Sequence, residues 1–211
     1  MGGAALDATW ALPATLREEL SGSRRPAVAL PVAGRSPVNE TADEVGLVTA
    51  ARDGDRDAFG RLYQRYGRMV HGVLLARVPR GQVEDLVQDV FLLALRRLDS
   101  LRDPARFGGW LAMIARNRAT DFHRRWRDTV ELTDEVPGPD ACAEAEALAV
   151  LALLRGLPEA YRETLVLRLV EGMSGPEIAA RTGMTEGSVR VNLHRGMKLL
   201  RTRLGVSNDD V

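Results

Sequence analysis

The chain has a single cysteine, Cys142, among its 211 residues. One cysteine excludes an intramolecular disulfide and a zinc site built on several cysteines, and it favours a reducing, cytoplasmic location. Aromatic residues make up only 5% of the sequence, so Leu, Val, Ala and Ile must form most of the core. No run of about 18 apolar residues predicts a membrane-spanning helix. The N-terminus also lacks the basic start and apolar run of a secretory signal.

Neither sign of charge predominates, since Lys plus Arg and Asp plus Glu both total 29. Taken over the whole chain, this balance argues against binding to nucleic acid. The charges are segregated, however. Residues 129–154 contain no Lys or Arg, residues 188–203 contain no Asp or Glu, and residues 116–127 carry five arginines against one acid. A functional interpretation has to explain two basic segments separated by an acidic one.

The fold class predicted from this composition is all-α. Alternating strand patterns are rare, whereas apolar residues recur at helical spacing, most regularly over residues 83–98. Pro104, Gly108 and Gly109 predict a loop before a last helix over residues 110–127. We expect two small helical domains, with these boundaries: a disordered extension at 1–44, a helical block at 45–128, a flexible acidic linker at 129–143, a second helical block at 144–204 and a disordered tail at 205–211.

A helix-turn-helix is predicted at about residues 174–203. Ser174 and Glu177 have the spacing of a capping box, and Pro176 is tolerated in a first helical turn. Gly183 suits the left-handed turn that ends the first helix, and Thr185 can cap the second. The second helix would bury Val189 and Leu193. Its opposite, acid-free face is typical of a helix that reads the major groove of DNA. That face carries Ser188, Arg190, Asn192, His194, Arg195 and Lys198.

This second block resembles region 4 of the extracytoplasmic-function (ECF) sigma factors, a subfamily of the sigma-70 family. The matching segments are Leu157–Glu163, Leu169–Ser174 and Gly187–Gly196. The resemblance implies that the second helix binds the –35 promoter element. Matched position by position, it implies base and phosphate contacts by Arg190, Val191, His194 and Arg195, with Ser188 and Lys198 in support.

The segment Val83–Phe91 in the first block resembles region 2.2 of the same family. Its acid-amide-acid stripe would by itself indicate only a solvated helix face. The resemblance implies that this stripe binds the clamp helices of the polymerase β′ subunit, and Leu92 and Leu95 suit a surface that faces a protein. The implied polymerase-binding residues are Asp85, Gln88, Asp89 and Leu92.

The segments Phe107–Asn117 and Arg118–Arg125 resemble regions 2.3 and 2.4. Basic groups and aromatics beside a loop suit unpaired DNA, whose phosphates are held electrostatically while a base stacks. The resemblance implies that these segments read the –10 element and that residues 100–107 receive a flipped base. The alternative is that Phe107, Trp110 and Phe122 are core aromatics. The implied DNA-binding set is Phe107, Trp110, Arg116, Asn117, Thr120, Asp121, Arg124 and Arg125.

Motifs of catalysis and metal binding are absent. The chain has no Gly-rich phosphate loop, no HExxH and no CxxC, and His71 lies among apolar neighbours that favour packing over metal ligation. We expect no catalytic residue, no metal and no cofactor.

The predicted function is that of an alternative sigma factor, which directs core polymerase to promoters and assists DNA opening. The resemblance implies these partners: the β′ clamp helices and β flap of RNA polymerase core, promoter DNA and an anti-sigma factor, with no membrane contact of its own.

Two other functions fit the residues less well. A stand-alone regulator would use the helix-turn-helix on duplex operators, with residues 45–128 as a sensor or dimerisation domain. A sigma-like scaffold would only bind other proteins. Co-purification with core polymerase separates the sigma reading from both.

Overall fold

The computed structural model describes residues 37–127, termed the first block, and residues 149–204, termed the second block. All regular structure in these ranges is helical, as the sequence predicts. The sequence-based expectations for residues 1–36, for the acidic linker and for the tail lie outside the described residues. The first block contains α1 (Pro37–Arg52), α2 (Arg56–Leu75), α3 (Val83–Arg97) and α4 (Phe107–Arg127); the second contains α5 (149–155), α6 (Glu159–Leu169), α7 (Gly175–Thr182) and α8 (Glu186–Arg203).

Helix α1 corrects one predicted boundary. The extension expected to be disordered reached residue 44, but α1 already begins at Pro37. A proline is compatible with the first turn of a helix because the amide it lacks has no intrahelical partner there. The helical segment therefore begins before residue 45, where the sequence pattern predicts the first helical block to start.

Helix α2 runs through the centre of the first block, with α1, α3 and α4 packed around it. Asp55 fixes its start, because the carboxylate accepts hydrogen bonds from the backbone amides of Asp57 and Ala58 at 2.9 and 3.0 Å. Leu62 and Tyr66 are at most 1% exposed, and full burial of one such side chain contributes about 1.5–3 kcal/mol. The first block therefore has a core of its own, built at the helical spacing seen in the sequence.

The second block is a smaller helical cluster. Helix α6 packs against α8, and the short α7 contacts both. Leu154, Leu165, Ile178 and Leu200 are each at most 1% exposed and supply apolar side chains from all four helices. This core fixes α8 through one face and leaves the other face toward solvent.

The two blocks also pack against each other, which the sequence analysis did not predict. Helices α2 and α4 contact α6 and α7. Gly108 and Gly109, expected in a loop, lie in the first turn of α4, because the helix begins at Phe107 and not near Trp110. A Cβ at Gly108 would stand 2.5 Å from the carbonyl oxygen of Arg181. Glycine thus permits the close approach of α7 to the start of α4.

Candidate nucleic-acid interface

The turn between α7 and α8 confirms the predicted helix-turn-helix. The Ser174 hydroxyl accepts from the Glu177 amide at 3.3 Å, and the Glu177 carboxylate accepts from the Ser174 amide at 2.9 Å. Partial burial acts to raise the pKa of Glu177, but the Ser174 hydrogen bonds outweigh it and lower that pKa. Gly183 ends α7 with a φ of 73°, the left-handed conformation in which glycine avoids a steric penalty. These local interactions set the bounds of α7 at both ends.

Helix α8 is capped and oriented as the sequence predicts. The Thr185 hydroxyl accepts from the Ser188 amide at 3.1 Å. Val189 is 1% exposed, whereas Leu193 is only partly buried against the same core. These contacts direct the opposite face of α8 toward solvent.

Gly196 sets the distance between α8 and α6, a role that the sequence analysis missed. A Cβ at this position would lie 2.9 Å from Leu165 Cδ1 and 3.0 Å from Tyr161 Cβ. Gly196 is the last residue of the family-like segment Gly187–Gly196, but the need for a glycine there becomes clear only from the position of α6. Helix α8 therefore rests on α6 at a point where a side chain would separate the two helices.

The outward face of α8 carries all six residues implied in –35 recognition. Each of them is exposed, and Val191 is 43% exposed. No carboxylate lies between residues 188 and 203, so the face is positively charged along most of the helix. Eighteen residues in α8 span about 27 Å, long enough to lie along a major groove. The face presents Ser188, Arg190, Val191, His194, Arg195 and Lys198.

Phe107 corrects one residue of the implied –10 set. Its side chain is fully buried, with its ring centroid 5.2 Å from that of Tyr66 and 5.9 Å from that of Trp110. A ring enclosed in this way cannot stack on a DNA base, so Phe107 is a core aromatic here. Trp110 and Phe122 are partly buried and pack against the same core. The burial of Phe107 favours the interpretation of this residue as a core aromatic, and contact of Trp110 with DNA stays a prediction.

Arg116 is engaged within the protein. Its guanidinium binds both carboxylate oxygens of Glu163 on α6, at 3.1 Å from Nε and 2.8 Å from Nη2. Arg77 approaches the same carboxylate at 2.7 Å. Burial alone would raise the pKa of Glu163, but Arg116 and Arg77 outweigh burial and lower it. This role of Glu163 cannot be predicted from the sequence, because nothing in its local pattern indicates a partner 47 residues away.

The rest of the implied –10 set lies on the outer face of α4. Asn117, Thr120, Arg124 and Arg125 are exposed. Asp121 is partly exposed and pairs with Arg124 at 3.2 Å. These five residues therefore lie on a single accessible surface, whereas Phe107 is buried, Trp110 is partly buried and Arg116 is engaged by Glu163.

The loop before α4 is fixed by Arg52 of α1. Its Nη2 donates to the carbonyl oxygen of Leu101 at 2.6 Å and to that of Leu98 at 3.4 Å. Asp103 accepts from the Ala105 amide at 3.1 Å and starts a further short turn. The segment implied to receive a flipped base is therefore held by defined hydrogen bonds.

The implied polymerase-binding stripe lies on the outer face of α3. Asp85 and Gln88 are exposed, and Leu92 and Leu95 are 52% and 45% exposed. Asp89 is partly exposed and forms an ion pair with Arg118 of α4. Charged groups beside two exposed leucines are typical of a protein-docking surface.

In the described ranges, no group of three or more His, Cys, Asp or Glu residues could hold a metal ion. Within residues 37–127 and 149–204, no helix has both the length and the apolar character needed to cross a bilayer.

Comparison with known proteins identifies both blocks. Residues 62–129 match the family model "Sigma-70 region 2", and residues 147–200 match "Sigma-70, region 4". The two matches fall on the α3–α4 surface and on the helix-turn-helix.

Similar proteins span most of the chain. The ECF RNA polymerase sigma factor BldN of Streptomyces coelicolor is 34% identical over 77% of this chain and 66% of its own length. The RNA polymerase sigma factor CarQ of Myxococcus xanthus is 36% identical over 73% of this chain and 93% of its own. The solved structure of CnrH with the cytosolic domain of CnrY is 30% identical, with a TM-score of 0.58, over 79% of this chain and 99% of CnrH. The chain therefore belongs to the ECF subfamily of the sigma-70 family of RNA polymerase sigma factors.

Proposed function

We propose that the chain reads promoter DNA at two points, with α8 on the –35 element and the outer face of α4 on the –10 element. The observation that carries the proposal is the exposed, acid-free face of α8, held by a capped helix-turn-helix. Arg190 and Arg195 can form bidentate hydrogen bonds with guanine edges, and Lys198 can hold a phosphate. In the first block, Arg124 and Arg125 supply positive charge for the separated strand.

The α3 stripe is the proposed contact with the β′ clamp helices of core polymerase. Asp85 and Gln88 offer hydrogen-bond acceptors, and Leu92 adds apolar surface. The second block would contact the β flap. Residues 45–128 and 144–204 are thus proposed as the two functional domains, joined by the acidic linker at 129–143.

Promoter opening is proposed as binding work without a catalytic step. Contacts between α4 and the separated strand would offset the free energy of unstacking. We place the protein in the cytoplasm, where core polymerase acts. Because CnrH was solved together with the cytosolic domain of CnrY, we propose that an anti-sigma protein controls this chain as well.

The decisive experiment combines the purified chain with core RNA polymerase and a library of randomised promoter templates. We expect run-off transcripts to select templates that share two separated sequence elements. A stand-alone regulator would instead bind duplex DNA tightly without core, prefer symmetric sites and fail to co-purify with core. That result would overturn the proposal.

A further inference from the structure

Val191 is an apolar side chain at a position where the fold gives no reason for one. It lies in the second turn of α8 and is 43% exposed, whereas Val189, two positions earlier, is 1% exposed and belongs to the core. Helix formation does not favour it either, because a β-branched side chain loses χ1 freedom in a helix and ranks below Ala, Lys or Gln. Neither packing nor helix propensity therefore accounts for this valine.

The neighbours of Val191 on the surface of α8 leave its methyl groups accessible. Arg190 precedes it, Arg195 lies four positions later, and both are exposed. Side chains at i and i+4 share a helix face and lean toward the N-terminus, so Val191 leans over Gly187. A Cβ at Gly187 would meet only the Thr185 hydroxyl oxygen, at 4.0 Å. The valine methyls are consequently open toward the N-terminal part of α8, the part with which a recognition helix contacts base edges.

The chemistry of this surface narrows the choice of partner for Val191. A protein-docking surface usually presents a contiguous apolar patch of roughly several hundred Å², which one valine between two arginines does not provide. In the major groove, the apolar group on a base edge is the C5-methyl group of thymine. Against any other base edge, the valine would cover a donor or acceptor without pairing it, which costs free energy. Thymine is therefore the base that this side chain fits.

We infer that Val191 is a specificity-determining residue that recognises the methyl group of a thymine in the –35 element. The assignment rests on the proposed function and deepens it, because it names one base of the sequence that α8 selects. Helix α8 advances about 7.5 Å from Arg190 to Arg195, which is about two base-pair steps. The thymine should therefore lie within about two base pairs of a guanine that one of these arginines contacts.

The test uses run-off templates selected from the randomised library that share a –35 element. Each thymine of that element, on either strand, is replaced singly by deoxyuridine, which removes the methyl group and keeps every hydrogen-bonding group. Transcription is measured with core polymerase and the full-length chain. One replacement should raise the protein concentration needed for half-maximal transcription about fourfold, the factor expected for burial of one methyl-sized group. If no thymine of the element responds, the inference is wrong.

Val191→Ala separates a direct contact from an effect of the methyl group on DNA shape. The substitution is at an exposed position and introduces a better helix former, so the variant should fold as wild type does, which urea unfolding checks. With this variant, the thymine and deoxyuridine templates should give the same half-maximal concentration. An unchanged fourfold ratio would assign the effect to sequence-dependent DNA shape and overturn the inference.

Leu199→Ala is the matched control for removal of an exposed apolar side chain. Leu199 also lies on α8 and is 39% exposed, but it is about 12 Å further along the helix. This variant should keep the fourfold ratio between the thymine and deoxyuridine templates. Loss of the ratio in both variants would indicate a general change in α8 and contradict the assignment to Val191.

A repeated selection with Val191→Ala tests the same assignment without modified bases. The thymine preference should disappear at one position, while the neighbouring guanines are still selected. Retention of the thymine would contradict the inference and leave the proposed function intact. If the wild-type protein with core polymerase selects no shared –35 element at all, the proposed function fails and the inference fails with it.

Discussion

The helices proposed to bind DNA, α8 in the second block and α4 in the first, differ in what covers them. On α8 the six implied contact residues are all exposed. On α4, Phe107 is buried and Arg116 is bound to a carboxylate of the other block. The comparison shows that all six implied positions on α8 are accessible, whereas two of the eight on α4 are enclosed or paired within the protein. Accessibility depends on packing between blocks, and the motif does not encode that packing.

The largest expected effect concerns the exposed face of α8. Arg190→Ala combined with Arg195→Ala should lower promoter-dependent run-off transcription by about 100-fold or more, because each bidentate base contact is worth about 1–3 kcal/mol. Arg116→Ala should hardly change duplex binding by the free protein, since Glu163 already occupies that guanidinium. If the α8 double variant and Arg116→Ala lost duplex binding equally, the proposed difference between the α8 and α4 surfaces would be wrong. Core association, measured by co-purification, is expected to stay at the wild-type level in the α8 variant.

The next largest effect concerns the support beneath α8. Gly196→Val should lower the free energy of unfolding by about 1–3 kcal/mol, because its side chain overpacks the contact with α6. Gly187→Ala in the same helix is the control, since its Cβ would meet only Thr185 Oγ1, at 4.0 Å. Urea unfolding measures both variants. If Gly196→Val and wild type unfold at similar urea concentrations, α8 can shift away from α6 without lowering the free energy of unfolding.

A smaller effect is expected on α3. Asp85→Ala combined with Asp89→Ala should weaken association with core polymerase by about tenfold, or about 1.4 kcal/mol. Duplex binding through α8 should be unchanged, because the stripe belongs to the first block; Asp89 pairs instead with Arg118 of α4. Glu84→Ala is the matched control on the same helix, since Glu84 faces His71. If the control weakens core binding as strongly, a general loss of charge is responsible.

The smallest effect is the pH dependence of the contact between the two blocks, in which His71 of α2 and Glu171 of the second block lie 2.6 Å apart. The hydrogen bond to Glu171 is the main cause that raises the pKa of His71 above 6.5; burial opposes it, while the Glu84 charge adds to it and Arg80 subtracts from it. Arg68 lies 4.0 Å from Glu171. A raised pKa means that protonated His71 stabilises the contact between the blocks fully below about pH 6.5 and that this contribution is lost as pH rises through the raised value.

The measurement is the radius of gyration at about pH 6 and about pH 8.5. The wild-type radius should rise at the higher pH, and His71→Asn should give the same radius at both. An identical pH response in the two proteins would assign the change to other groups.

The parts of the fold that the sequence predicts correctly are set by contacts between residues that are close together in the chain. Ser174 with Glu177, Gly183 and Thr185 set the helix-turn-helix through contacts within a few positions, so the sequence alone locates it. The burial of Phe107 and the pairing of Arg116 depend on α2, α6 and α7, which arrive from distant parts of the chain. Gly108 and Gly109 were misread for the same reason, since their lack of side chains serves a contact with another block and not a loop.

The meeting of Gly109 and Gly183 has a consequence for how the two blocks separate during unfolding. A Cβ on Gly183 would stand 3.0 Å from Gly109 Cα, so the two backbones touch there with no side chains between them. No rotamer has to change for these surfaces to separate. We expect the rate of separation to be limited at Glu163, where the ion pairs with Arg116 and Arg77 must break and the carboxylate must be rehydrated. The turn glycine of the helix-turn-helix thus adds no side-chain barrier to this step.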